Sequence, residues 1–195
     1  MNVFAKSAFA FLVSVTAATA LAQHSDKDKD AISDSERAQR RTEILAMSKE
    51  TISQMRKDGT AGKLLDQAYG NAVFDTTKGG FIVTGAGGTC VATHKGGTPI
   101  YMHMGAGGVG LGAGLENYKL VILFENKDTY DKFVEGAWSA GVSAQAAAGN
   151  EGKGAVGKFV NGVAVYHLTD KGVIAQVDAT GVKFWPSDKL NEGPA

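Results

Sequence analysis

The sequence predicts an α+β fold, in which N-terminal helices are followed by a largely antiparallel, glycine-rich β-sheet core with one inserted helix. Residues 34–58 carry apolar side chains at helical spacing, whereas from Asn71 onward short apolar segments are divided by glycine. Residues 126–136 depart from this second pattern and again show helical spacing. Helices followed by a run of strands are typical of the α+β class.

The N-terminal helix is predicted to begin near Ser33 or Asp34, since serine and aspartate both cap helices well, and to end before Gly59. The following side chains share one broad face of it: Ile44, Met47, Ile52 and Met55. A second, short helix is predicted over residues 62–69, with the sequence GKLLDQAY.

Short apolar segments rich in β-branched residues predict the strands of the sheet. They are NAVF (71–74), GFIVTG (80–85), TCVAT (89–93), IYMHMG (100–105), GVGLGAGL (108–115), KLVILFE (119–125), WSAGVSAQAAAG (138–149), GVAVYHLT (162–169) and GVIAQVDATG (172–181). Turns are predicted at 93–98 and 169–172, where glycine and polar residues cluster. The inserted helix follows Asn126 and is expected to end at Gly136.

The stretch GAGGVGLGAG, residues 105–114, contains a G-x-G-x-x-G match. A dinucleotide site needs a helix directly after this motif, because the helix N-terminus binds the phosphates. Gly112 and Gly114 disfavour such a helix, and KLVILF follows as a strand. A strand is therefore preferred, with one face left bare by alternate glycines that are expected to pack closely against a partner: Gly108, Gly110, Gly112 and Gly114.

The first 22 residues predict a secretory signal peptide. Lys6 precedes a short apolar run that ends in small residues, and cleavage is expected after Ala22. Residues 23–33 are charged and are predicted to be a disordered leader. A domain is predicted over residues 60–187, with a loose tail at 188–195. We therefore expect a periplasmic or secreted protein that is not lipid-anchored, since no cysteine follows the cleavage site closely enough to carry a lipid.

Charge and chemistry argue for a binding protein and against an enzyme. The chain has 20 basic and 20 acidic residues, so no bulk attraction to nucleic acid is expected. Cys90 is the single cysteine and is predicted to be buried. Known nucleophile and zinc motifs are missing from the sequence, which predicts no catalytic residues and no cofactor. In Met102-His103-Met104 the methionines and the histidine should point to opposite faces of a strand, so no metal site is expected.

Four blocks, in this order and spacing, resemble the SYLF domain family. They are GNAVFDTTKGGFIVTGAGGTCVA, IYMHMGAGGVGLGAGLENYKLVILFENKDTYDKF, WSAGVSAQAAAG and VYHLTDKGVIAQVDATG, and the resemblance runs from about Gly62 to Trp185. It implies a β-rich domain that binds phospholipids, notably phosphoinositides, and in some eukaryotic members actin filaments. For this chain it implies general lipid binding. We expect the ligand to be a phospholipid of a membrane surface or another amphiphile, with headgroups at the basic N-terminal helix and acyl chains at the glycine-rich sheet.

All four arginines of the chain lie in the N-terminal helix segment. The residues predicted to contact lipid are Arg37, Arg40, Arg41, Ile44, Met55, Arg56 and Lys57. A helix with basic and apolar groups on one side can lie on a phospholipid surface. Two alternatives remain open: the apolar stripe packs on the sheet and the arginines form ordinary intrahelical pairs, or the domain is an envelope protein–protein interaction module without a lipid ligand.

Overall fold

A computed structural model describes most of the chain from Ile32 onward. The described residues are 32–80, 83–109, 114–136, 157–169, 172–174 and 181–193. The predicted signal peptide, the predicted leader up to residue 31 and the predicted strand at 138–149 lie outside these ranges, whereas Ile32 and Ser33, predicted as the end of the leader, are ordered against the domain. The described part is an α+β structure, as predicted from the sequence.

The helices begin where polar side chains satisfy their free N–H groups. Helix α1 spans Asp34–Met55, and the Ser33 Oγ accepts a hydrogen bond from the Glu36 N–H at 3.1 Å. Helix α2 spans Ala61–Gln67, and the Asp58 carboxylate accepts from the N–H groups of the two residues at its start. Helix α3, the inserted helix, spans Lys127–Val134 behind the N-cap Asn126. Helix α4 is a single turn at Asp188–Asn191.

Within the described residues, seven strands form one sheet. Their bounds are β1 Gly70–Gly80, β2 Val83–His94, β3 Ile100–Val109, β4 Gly114–Phe124, β5 Val163–Thr169, β6 Gly172–Ile174 and β7 Gly181–Pro186. The order across the sheet is β6-β5-β4-β1-β2-β3-β7, and the paired strands run antiparallel. The turns predicted at 93–98 and 169–172 join β2 to β3 and β5 to β6.

Alternation along the strands gives the sheet two apolar faces, each covered by helices. On one face Phe74 and Phe124 pack with Tyr130 and Phe133 of α3. On the other, α1 and α2 cover a second cluster that includes Met55, Leu64, Leu65, Val73, Val121 and Leu123. Cys90 is fully buried in the first cluster, as predicted, and burial raises the pKa of its thiol well above the ordinary value.

The strand predicted as GVGLGAGL is not one strand. Gly108 lies near the end of β3 and Gly114 begins β4, and these two strands are separated in the sheet by β1 and β2. Gly110 and Gly112 lie outside the described residues. The alternation of glycine with apolar residues extends across two strand ends, which local periodicity cannot distinguish from one strand.

The tail predicted to be loose at 188–195 contains α4. Ser187 caps this turn, and Leu190 is only 4% exposed. Strand β7 before it was also missed, because the prediction ended the last strand at Gly181. The first helix ends at Met55, three residues before the predicted end. The short segments predicted at 71–74 and 89–93 are parts of the long strands β1 and β2, and the segment predicted at 80–85 covers the end of β1, residues 81–82 outside the described ranges, and the start of β2.

Candidate functional site

Arg37 and Arg41, which were predicted to contact lipid headgroups, bind the C-terminal segment of the chain. The Arg37 Nε donates to the Lys189 carbonyl oxygen at 2.7 Å, and the Arg41 Nε donates to the Leu190 carbonyl oxygen at 2.8 Å. A second Arg41 nitrogen donates to the Glu192 carbonyl oxygen at 2.6 Å. The side chain of Arg37 is only 14% exposed. In this arrangement both guanidinium groups are occupied by the protein itself.

The apolar residues predicted for the same lipid-facing side are turned toward the protein. Met55 is fully buried under α2, and Ile44 packs beside Val91 and Tyr101. This geometry agrees with the first of the two alternatives to lipid contact, in which the apolar stripe of α1 packs on the sheet. Arg40 lies on the outer side, where its side chain is 52% exposed and pairs with Glu36 at 2.6 Å.

Arg56 and Lys57, the remaining predicted lipid contacts, are exposed at the C-terminal end of α1. The Arg56 guanidinium lies 3.9 Å from the Asp66 carboxylate, a long contact between two exposed side chains. Such surface pairs contribute about 0–1 kcal/mol, so the guanidinium remains available to another anion.

Two lysines that were not predicted to contact lipid lie near Arg56 and Lys57. Lys63 is exposed on α2, which packs directly against the Arg56 backbone. Lys158 is exposed in the segment where Gly157 abuts Thr60 and Phe159 packs on the α1–α2 cluster. We name this set the basic corner: Arg56, Lys57, Lys63 and Lys158. No sequence spacing could have joined Lys158 to the others, since the fold brings it there from about 100 residues away.

The acidic residues at the basic corner do not neutralise it. Asp58 is engaged in capping α2, where its carboxylate accepts from the N–H groups of Thr60 and Ala61 at 2.9 and 2.8 Å. Among the described residues, Asp66 is the acid that pairs with a cation of this corner, Arg56. Positive charge therefore exceeds negative charge at this surface, although the whole chain has a formal net charge of zero.

Glycine forms a cross-strand row on four adjacent strands at one end of the sheet. Register aligns Gly79 with Gly85, Gly85 with Gly107, and Gly107 with Gly181. Close approach of the kind predicted for Gly108, Gly110, Gly112 and Gly114 is seen at other glycines of the sheet, among them Gly88 and Gly105. A Cβ on Gly88 would lie 2.5 Å from the Asp75 carbonyl oxygen, and one on Gly105 would lie 3.2 Å from the Trp185 ring. These positions cannot carry a larger side chain without a local shift.

The Met-His-Met triplet divides between the two faces of β3. Met102 and Met104 belong to the buried cluster under α3, whereas His103 packs near Trp185 with ring centroids 5.9 Å apart. In the part of the chain that the structure describes, no group of three or more His, Cys, Asp or Glu side chains is placed to hold a metal ion. Over the same residues, no helix has both the length and the apolar character needed to cross a membrane.

These features define a glycine-rich, antiparallel α+β domain with a cationic surface at the α1–α2 connection. Comparison with known proteins gives the family. The Ysc84 (SYLF) domain family, described as "Las17-binding protein actin regulator", matches residues 105–193. The resemblance predicted from the sequence is thereby confirmed, and this chain carries a domain of the SYLF family.

A relative supports the same assignment. The chain is 30% identical over 154 residues to Beta cell expansion factor A of Aeromonas veronii. The aligned region covers 78% of this chain and 59% of that relative. The description of the matched family names binding to Las17 and regulation of actin.

Proposed function

We propose that this protein is a non-enzymatic phospholipid-binding domain of the cell envelope, in the periplasm or outside the cell, and that the basic corner is its headgroup contact. The observation that carries this proposal is the grouping of four exposed cationic side chains around the α1–α2 connection. Each basic residue near an anionic membrane surface contributes about 1 kcal/mol of binding free energy. The SYLF family assignment and the predicted signal peptide support the same reading.

Binding to vesicles tests the proposal. Phosphatidylcholine vesicles with and without phosphatidylglycerol are compared for the unaltered protein and for Arg56→Gln/Lys57→Gln. Loss of two cations is expected to weaken binding to the anionic vesicles by about 2 kcal/mol, roughly 30-fold. The matched control is Lys127→Gln/Lys132→Gln, which removes the same charge from α3, where both lysines are paired with neighbouring aspartates. The control is expected to change binding by less than about twofold.

Equal weakening by the two double variants would show that the basic corner has no special role. No binding to either vesicle by the unaltered protein would reject the basic corner as the headgroup contact. The alternative is an envelope protein–protein interaction module, which the family description supports because it names a protein-binding regulator. That alternative predicts co-purifying protein and no lipid when the protein is isolated from its own host and examined by native mass spectrometry.

A further inference from the structure

The C-terminal residues 187–193, which we name the C-terminal latch, hold the N-terminal half of α1 on the sheet. Arg37 and Arg41 donate three hydrogen bonds to latch carbonyl oxygens, at Lys189, Leu190 and Glu192. These bonds are charge-assisted and therefore stronger than bonds between neutral groups. They also place two cations at the C-terminal end of α4, where carbonyl groups lack helical partners.

The latch is fixed to β3 through Tyr101. The Tyr101 N–H donates to the Asn191 Oδ1 and the Asn191 Nδ2 donates to the Tyr101 carbonyl oxygen, both at 2.8 Å. The Ser187 N–H donates to the same carbonyl at 2.9 Å. Pairing between β3 and β7 ends at Met102 and Pro186. The Asn191 side chain therefore takes the place of a paired strand for the backbone N–H and carbonyl of Tyr101.

An apolar contact completes the latch. Leu190 is 4% exposed and packs with Val91 and Tyr101, and the partly buried side chains of Ile32, Ile44 and Leu45 pack on this cluster. The Arg41 guanidinium lies over the Tyr101 ring, 5.7 Å from its centroid. Release of the latch would thus expose apolar groups of α1 and free the Arg37 and Arg41 donors that bind the latch, while Arg37 keeps its pair with Asp34 in the helix.

We propose that the C-terminal latch is an autoinhibitory contact, which rests on the lipid-binding function proposed above. While docked, it occupies the arginine and apolar side chains that would otherwise form one exposed face of the first half of α1, residues 34–45, in which Asp34, Glu36 and Glu43 balance the charge of the three arginines. When released, this half-helix adds a second membrane contact to the basic corner. Latch carbonyls and headgroup phosphates are then alternative partners of Arg37 and Arg41, because both present oxygen acceptors to the same guanidinium donors.

The test releases the latch without altering α1. Leu190→Asp/Asn191→Ala removes the apolar anchor and the two hydrogen bonds between the Asn191 side chain and Tyr101, and Asp188→Asn is the control on the same turn because Asp188 is exposed. Hydrogen exchange of residues 34–45 reports opening, and the vesicles of phosphatidylcholine with phosphatidylglycerol report binding. We expect exchange at 34–45 to accelerate at least roughly tenfold while exchange in β1 and β4 is unchanged, and anionic vesicle binding to tighten roughly tenfold or more.

A second pair of variants keeps the test valid where the first variant fails to fold. Arg37→Lys/Arg41→Lys retains charge and loses the planar donor arrangement, so it loosens the latch and tightens vesicle binding. Arg37→Gln/Arg41→Gln also loosens the latch and is expected to give no gain in binding. Faster exchange with unchanged vesicle binding in the lysine variant would overturn the latch as a regulator while leaving the basic corner as a binding surface. If the unaltered and released proteins both fail to bind, lipid binding itself is rejected, together with its regulation.

Discussion

At the scale of single residues, the glycines of the sheet serve different physical roles. A side chain on Gly87 would meet only the Met104 carbonyl oxygen, at 3.8 Å from its Cβ, which is ordinary contact. At the neighbouring Gly88 a Cβ would lie 2.5 Å from the Asp75 carbonyl oxygen. The idea that glycine permits close backbone contact is therefore valid at particular positions, and the sequence pattern alone does not show which ones.

Gly88→Ala is expected to destabilise the protein by about 1–3 kcal/mol, because the new methyl group meets backbone rather than a side-chain tip that could move. Urea unfolding measures the change. Gly59→Ala is the control, since nothing lies within 4 Å of its Cβ and its φ is not in the left-handed region. A Gly88 variant as stable as the Gly59 variant would mean that the β1–β2 contact relaxes without cost.

Tyr130→Phe is expected to preserve or increase stability at neutral pH. The Tyr130 hydroxyl is buried and has no hydrogen-bond partner among the described residues, so its removal relieves an unsatisfied polar group. Burial first, and then the nearby Cys90, raise the pKa of Tyr130 to about 12.

The raised pKa of Tyr130 also predicts a pH dependence. Between pH 10 and about 12 the Tyr130 phenol is ionised in the unfolded chain but still neutral in the folded protein. Ionisation therefore favours the unfolded state over this interval, so the free energy of unfolding is unaffected by Tyr130 titration below pH 10 and falls as the pH rises from 10 to about 12. The Phe variant should therefore lose less stability over that interval than the unaltered protein. Parallel curves of unfolding free energy against pH would contradict this.

At the scale of secondary structure, the elements with strong local signals could be predicted from the sequence. Ser33 as a cap gave the start of α1, and Asn126 and Gly136 gave the bounds of α3 closely. By contrast, β7 and α4 lack a strong periodic pattern and form through contacts with β3 and α1. The Arg37 bond to Lys189 joins residues 152 positions apart, so intrahelical spacing could not identify that partner.

The cap of α3 gives a prediction for that element. The Asn126 Oδ1 accepts a hydrogen bond from the Thr129 N–H at 3.0 Å. Asn126→Ala leaves this N–H without its cap, so we expect a loss of about 1 kcal/mol in the free energy of unfolding. Lys132→Gln is a suitable comparison because it removes an exposed pair with Asp128 on the same helix, a loss of about 0.3–0.5 kcal/mol. Thermal unfolding of both variants distinguishes a cap from a surface ion pair.

At the scale of the whole molecule, the two faces of the sheet carry different parts of the protein. One face packs with α3 into an aromatic core, whereas the other face carries α1, α2 and both candidate lipid contacts. The predicted set of seven lipid-contacting residues is thus divided by the fold: Met55 is in the core, Arg37 and Arg41 hold the C-terminal latch, and Arg56 and Lys57 remain exposed at the basic corner. Burial and long-range partners, which sequence spacing does not contain, determine this division.

Because the formal net charge of the chain is zero, the proposed attraction to an anionic membrane is assigned to the local excess of positive charge at the basic corner rather than to the protein as a whole. Raising the ionic strength from about 0.1 M to about 1 M shortens the screening length from about 10 Å to about 3 Å. Binding to anionic vesicles is therefore expected to weaken roughly tenfold or more, whereas the melting temperature should not fall in parallel, since the two cores are apolar. Cosedimentation and thermal unfolding at both salt concentrations measure the two effects. Vesicle binding that is insensitive to salt would indicate that apolar insertion, and not the basic corner, supplies the binding free energy.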